Sequence, residues 1–170
     1  MLQLTADGST LPPFALVVNQ EAGQTATVDL TVNYPAGWNL VSAPFQMENM
    51  DENTLFSPIT PGTLYSFDGT YQSQSTLQTG TGYWIQFSSA GTGTFSGLPA
   101  DEITVQVKEG WNLLPALADE AFISDPDGIV MSGTLYGFDG TYYLAGSLLP
   151  GQAYWISCSE DGQLMIVKGE

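Results

Sequence analysis

Tryptophan occurs 4 times in the 170 residues, in two matched pairs. Trp38 and Trp111 each stand in a Gly-Trp-Asn-Leu run, and Trp84 and Trp155 each stand in a Tyr-Trp-Ile run. Aromatic faces can stack on sugar rings, but in a small all-β protein they also fill the core, each ring burying about 150–250 Å². Trp38 and Trp111 open apolar strands and read as core. Trp84 and Trp155 share their side of the strand with polar Gln86 and Ser157, so a binding surface and a core position are equally open to them. The candidate ligand-binding residues are therefore Trp84, Trp155, Gln86 and the adjoining Tyr83 and Tyr154.

Asn39 and Asn112 follow the first tryptophan of each copy, and both read as satisfying backbone groups at the strand entry. Asp125-Pro126-Asp127-Gly128 has the oxygen density of a calcium turn. It continues as Ile129-Val130-Met131 and not toward a bidentate glutamate, so Asp125 and Asp127 form a weak candidate metal site, with a solvated turn as the simpler reading. Catalysis is not expected. Without histidine there is no Ser-His-Asp or Cys-His pair, and no nucleotide fingerprint occurs. Asp51-Glu52 and Asp119-Glu120 are adjacent in sequence, which does not place two carboxyls across a cleft as glycoside hydrolysis requires. Cys158 aligns with Phe87 of the other copy, reads as a buried apolar side chain and excludes an internal disulfide.

With 18 acidic residues against 2 lysines the net charge is -16, which argues against nucleic acid and anionic membrane surfaces as partners. Only 12% of residues are charged, too few for the dense acidic coat of salt adaptation. A surface of Ser, Thr, Gln, Asn and Gly points instead to an extracellular protein. No run approaches the ~18 apolar residues of a spanning helix. An export signal is expected upstream of Met1.

The elements that position these residues come from an internal repeat. Gly62-Thr63-Leu64-Tyr65-Ser66-Phe67-Asp68-Gly69-Thr70-Tyr71 returns as Gly133-Thr134-Leu135-Tyr136-Gly137-Phe138-Asp139-Gly140-Thr141-Tyr142, and Leu77 to Ile85 returns as Leu148 to Ile156. Val28, Leu30 and Val32, like Ile103, Val105 and Val107, alternate with polar residues as half-buried strands do. Each is expected to turn back in a hairpin onto the strand that opens at the tryptophan. Asp68-Gly69 and Asp139-Gly140 read as two-residue hairpin turns, which sets Ser66 opposite Tyr71 and Gly137 opposite Tyr142. Tyr83, Ile85 and Phe87 share one strand face and Trp84 takes the other. A helical turn is expected after Asp51 and again after Asp119.

This order of motifs, from Gly-Trp-Asn-Leu through a Tyr-Phe-Asp-Gly-Thr-Tyr-like hairpin to Gly-Tyr-Trp-Ile, resembles a recurrent module of large secreted and surface-anchored bacterial proteins. Two copies cover residues 25 to 170. The resemblance implies β structure, modularity and an extracellular location, and it brings no catalytic residues. Ala153 in place of Gly82, and Pro150 in place of Thr79, read as differences of turn geometry.

The expected fold is all-β, with two pseudo-symmetric antiparallel repeats, residues 25–99 and 100–170, built as small barrels or one shared sandwich. Residues 1–24 are expected to form a linker with an added strand at Ala15 to Val18. The expected function is non-catalytic adhesion or recognition, with glycan as the specific ligand, no cofactor and calcium a candidate ion. The rival is a spacer or self-assembling subunit that uses strand addition through its N-terminal strand.

Overall fold

The computed structural model describes residues 26–170, and the strand expected at Ala15 to Val18 lies outside them. Among the described residues the chain is all-β, in open antiparallel sheets packed as a sandwich, with no closed barrel. In the first repeat the strands are β1 (Val28–Tyr34), β2 (Gly37–Ser42), β3 (Phe56–Ile59), β4 (Tyr65–Phe67), β5 (Tyr71–Ser73) and the long β6 (Gly82–Gly97). The second repeat has β7 (Glu102–Val107), β8 (Gly110–Leu114), β9 (Ala121–Ser124), β10 (Tyr136–Phe138), β11 (Tyr142–Leu144), β12 (Tyr154–Cys158) and β13 (Gly162–Lys168).

Both repeats follow one plan. In the first, the inner half of β6 lies between β2 and β4, and its outer half lies between β1 and β3. In the second, two strands do the work of β6: β12 lies between β8 and β10, and β13 lies between β7 and β9.

The opening hairpin expected from the sequence does not form. β1 and β2 both pair with β6, at Gly91 to Gly97 and at Gly82 to Phe87, so they succeed one another along a single partner instead of folding back. A corner takes the place of the hairpin. Gly37 turns the chain at φ 96°, and Asn39 Nδ2 donates to Pro35 O at 2.9 Å and Gly37 O at 3.1 Å. Asn112 repeats the device on Lys108 O and Gly110 O at 2.8 and 3.0 Å, so both asparagines brace backbone as the sequence suggests. Strands that bend from one layer to the next in this way are the corner elements of orthogonally packed sheets.

Two further expectations change. The Asp-Gly hairpins are longer by one residue: Asp68 N–H closes on Thr70 O, and Phe67 stands opposite Tyr71, with Phe138 opposite Tyr142. A one-residue shift exchanges the faces of a strand. Tyr71 and Tyr142 consequently lie beside Phe67 and Phe138, and Tyr143 is the ring that covers Gly137. The helical turn forms only once, as α1 (Glu52–Leu55), whose N-cap Asp51 accepts from Asn53 N–H at 2.9 Å. After Asp119 the chain instead exchanges two hydrogen bonds between Ala121 and Leu148 and enters β9 directly.

Alternation along each strand separates two environments. Tyr83, Ile85 and Phe87 face the core of the first repeat, where Tyr34 stacks on Phe87 at 5.0 Å and meets Phe56 edge-on. Tyr154, Ile156 and Cys158 fill the corresponding core of the second repeat, with Leu164 and Ile166. The opposite faces of both ribbons meet in a third cluster of Leu40, Leu113, Ala153 and Trp155, with Trp84, Phe67, Tyr136 and Phe138 packed around it. Hydrogen bonds tie the same seam: Tyr34 OH donates to Gly151 O at 2.5 Å, Ser42 Oγ to Gln152 O at 2.5 Å, and Ala116 N–H to Ser42 Oγ at 3.0 Å.

Gly82 and Ala153, which occupy the same place in their repeats, face each other across this seam. A Cβ on Gly82 would come within 2.9 Å of Ala153 Cβ, Leu113 Cγ and Leu114 O. The Gly/Ala difference is therefore a packing requirement of the seam and not one of turn geometry. Overpacking of this kind costs about 1–3 kcal/mol. Gly82→Ala is expected to lose stability of that order in urea unfolding, and Ala153→Gly added to it is expected to recover part of the loss, a coupling that unrelated sites would not show.

Candidate functional site

The two repeats are related by an approximate two-fold axis through the seam, and their aromatic contacts come in reciprocal pairs. Trp84 of the first repeat meets Phe138 of the second at 4.9 Å and 78°; Trp155 of the second meets Phe67 of the first at 4.9 Å and 80°. Within each repeat the tryptophans stand at right angles, Trp38 to Trp84 at 6.2 Å and Trp111 to Trp155 at 6.5 Å, both at 89°. Tyr65 leans on Trp38 and Tyr136 leans on Trp111 in the same way. Edge-to-face geometry is the arrangement that ring quadrupoles favour.

Two open grooves result. One, of about 510 Å³, is lined by Trp111, Tyr136, Trp155 and Tyr142 of the second repeat and by Phe67 and Tyr71 of the first. The other, of about 460 Å³, is lined by Trp38, Tyr65, Tyr71 and Trp84 of the first repeat and Phe138 of the second. Each groove joins the perpendicular tryptophans of one repeat to the hairpin tip of the other, so neither repeat alone completes a groove.

Sequence reasoning divided these residues along the wrong line. Trp38 and Trp111, expected in the core, are 41% and 48% exposed and form the outer walls. They share a strand face with Leu40 and Leu113, which turns toward the seam and runs out into solvent at the tryptophan. Trp84 is half-buried and Trp155 only 8% exposed, and these two form the floors. Tyr83 and Tyr154 lie outside the grooves. Their rings are buried in the repeat cores, and their hydroxyls accept from Gln78 N–H at 2.8 Å and Leu149 N–H at 2.9 Å. Gln86 pairs with Trp38 across the strands and does not line the groove. The sequence reading missed Tyr65, Phe67, Tyr71, Tyr136, Phe138 and Tyr142. Their repetition in the central hairpin was the available signal, and the misjudged turn length concealed the face they occupy.

Tyr71 and Tyr142 are the most open rings, at 56% and 55%. Partial burial pushes the Tyr142 phenol above its usual range; neighbouring Tyr71 adds to this, and the indole N–H of Trp155 acts against it. That N–H is itself buried, and its geometry to Tyr142 is not that of a hydrogen bond, so it has no partner among the described residues.

The Asp125 carboxylate is used within its own turn: Oδ1 accepts from Ile129 N–H at 3.0 Å and Oδ2 from Val130 N–H at 2.8 Å, while Asp127 is exposed. Among the described residues no group of three or more His, Cys, Asp or Glu is arranged to hold a metal ion. Cys158 is buried, and burial raises its thiol pKa, which lowers its reactivity. Neither lysine enters a groove: Lys108 pairs with Asp68 at 2.7 Å, and Lys168 with Asp119 at 3.0 Å. Comparison with protein-family models, curated proteins and solved structures finds no match.

Away from the grooves, Glu52 is a buried carboxyl whose Oε2 has no partner among the described residues. Burial, and secondarily the charge of Asp51, hold its pKa above the usual carboxylate range. The folded state therefore keeps this proton to higher pH than the unfolded chain, and stability falls as pH rises from about 4.3 through the folded value, then levels off. Glu52→Gln is expected to melt at a higher temperature than the parent at neutral pH, and the difference is expected to close as pH is lowered to the ordinary glutamate range. Melting curves across that range check the sign.

Proposed function

We propose that the chain is a non-catalytic recognition module of a bacterial extracellular or cell-surface protein, mediating adhesion or ligand capture through its two aromatic grooves. One observation carries this reading. Trp38 and Trp111, the same residue in each repeat, stand in solvent at right angles to a second tryptophan, where their burial would have stabilised the fold. Fully burying a large apolar side chain is worth about 1.5–3 kcal/mol. Leaving two indoles about half exposed at matched positions forgoes part of that gain in each repeat, and surface rings placed in grooves are the arrangement that ligand stacking uses.

Sugar rings, with their flat C–H faces, are one ligand class that such rings take up, and a glycan array run with calcium and with a chelator tests that class directly. Trp38→Ala and Trp111→Ala are expected to weaken ligand binding about tenfold or more, as hot-spot truncations do, with the fold retained and a modest fall in melting temperature from the lost contacts to Trp84 and Trp155. Unfolding of both variants would return these rings to a structural role. Unchanged binding would move the contact surface elsewhere on the module.

A further inference from the structure

The grooves differ from a typical sugar site in what they lack. A bound sugar loses water from its hydroxyls and needs hydrogen-bonding groups to replace it. The groove at Trp38 is walled by the rings of Trp38, Tyr65, Tyr71, Trp84 and Phe138 and presents no polar surface to a ligand. Ring faces carry negative quadrupole potential, and perpendicular rings present that potential from two sides of one corner. A lysine-like ammonium would lose hydrogen bonds on entering such a corner. A quaternary ammonium has none to lose.

Charge favours the same ligand. The chain carries -16 with 2 lysines, both paired elsewhere on the surface, so a cation is drawn to the protein while a second copy of the chain is repelled. The two grooves are not electrostatically equal. Asp68, next to Phe67 in sequence, forms a surface ion pair with Lys108 at 2.7 Å, whereas Asp139, next to Phe138 in sequence, has no lysine partner.

Resting on the reading of the grooves as recognition sites, we propose that they are aromatic cages for a quaternary ammonium group, and that the groove of Trp38, Trp84 and Phe138 is the stronger of the two. The ligand carries its cation without an adjacent anion, because a phosphate beside the nitrogen would meet the acidic surface. Choline is the simplest compound of this kind.

The test is calorimetric titration of the intact chain with choline and with neohexanol, the uncharged isostere in which carbon replaces nitrogen. Choline is expected to bind about 3- to 30-fold more tightly than neohexanol, the range that cation–π attraction supports. High salt is expected to narrow the gap. Trp38→Ala is expected to reduce choline affinity more than Trp111→Ala does, with both variants folded by circular dichroism. Asp139→Asn is expected to weaken choline and leave neohexanol unchanged.

Equal binding of the two compounds would overturn the cage and leave two apolar recognition grooves. Choline failing to bind would overturn it as well: a positive glycan array would then keep the recognition reading with a different ligand, and a blank array would remove both. Binding of phosphatidylcholine vesicles with free choline left unbound would overturn the choice of ligand in favour of a lipid surface. Choline binding that survives both tryptophan substitutions would overturn the location.

Discussion

The reciprocal exchange of rings across the seam, Trp84 against Phe138 and Trp155 against Phe67, is the constraint on which the rest of this molecule depends. Each contact contributes about 0.5–1.5 kcal/mol beyond the area it buries. Position matters more than that sum. Each phenylalanine sits at the end of a hairpin strand, so its insertion against the opposite tryptophan fixes where that hairpin tip lies. The tip of the first repeat brings Phe67 and Tyr71 to the Trp111 groove, and the tip of the second brings Phe138 to the Trp38 groove, so each tip closes one side of a groove whose other side belongs to the neighbouring repeat. An isologous interface of this kind normally joins two chains. Here it joins two halves of one.

Backbone polarity is resolved with the same economy in both halves. An asparagine after the tryptophan takes up the carbonyls that the corner leaves free, and a tyrosine hydroxyl buried in each core accepts the amide of the turn before its own strand. These pairings leave Trp84 and Trp155 as the only aromatic residues of their strands without a role inside a repeat core. That is why they can serve the seam.

Much of the fold was legible in the sequence. The repeat, the strand faces of Tyr83-Trp84-Ile85 and Tyr154-Trp155-Ile156, the bracing asparagines and the buried thiol all follow from spacing and type. Less legible was anything that depends on a partner. Period-two alternation tells which residues share a face but not what covers it, so it places Trp38 in a core although its face belongs to the seam and ends in solvent. Asp-Gly marks a turn but does not count its residues, and one residue more was enough to move Tyr71 and Tyr142 to the groove side. The acidic pair Asp119-Glu120 looks like the start of a second helical turn. Long-range pairing of Ala121 with Leu148 overrides it.

Two identical chains meeting on a two-fold axis must place the same residue on both sides of it. With glycine on both sides the seam would lose the one methyl that now fills it; with alanine on both sides the methyls would collide at 2.9 Å. The observed pairing of Gly82 with Ala153 is open only to halves that share a chain and can diverge separately. Its consequence is heterotypic preference: each half fits the other better than it fits a copy of itself. A tandem duplication that reaches this state has made its linker matter less, because shape at the axis already selects the correct mate.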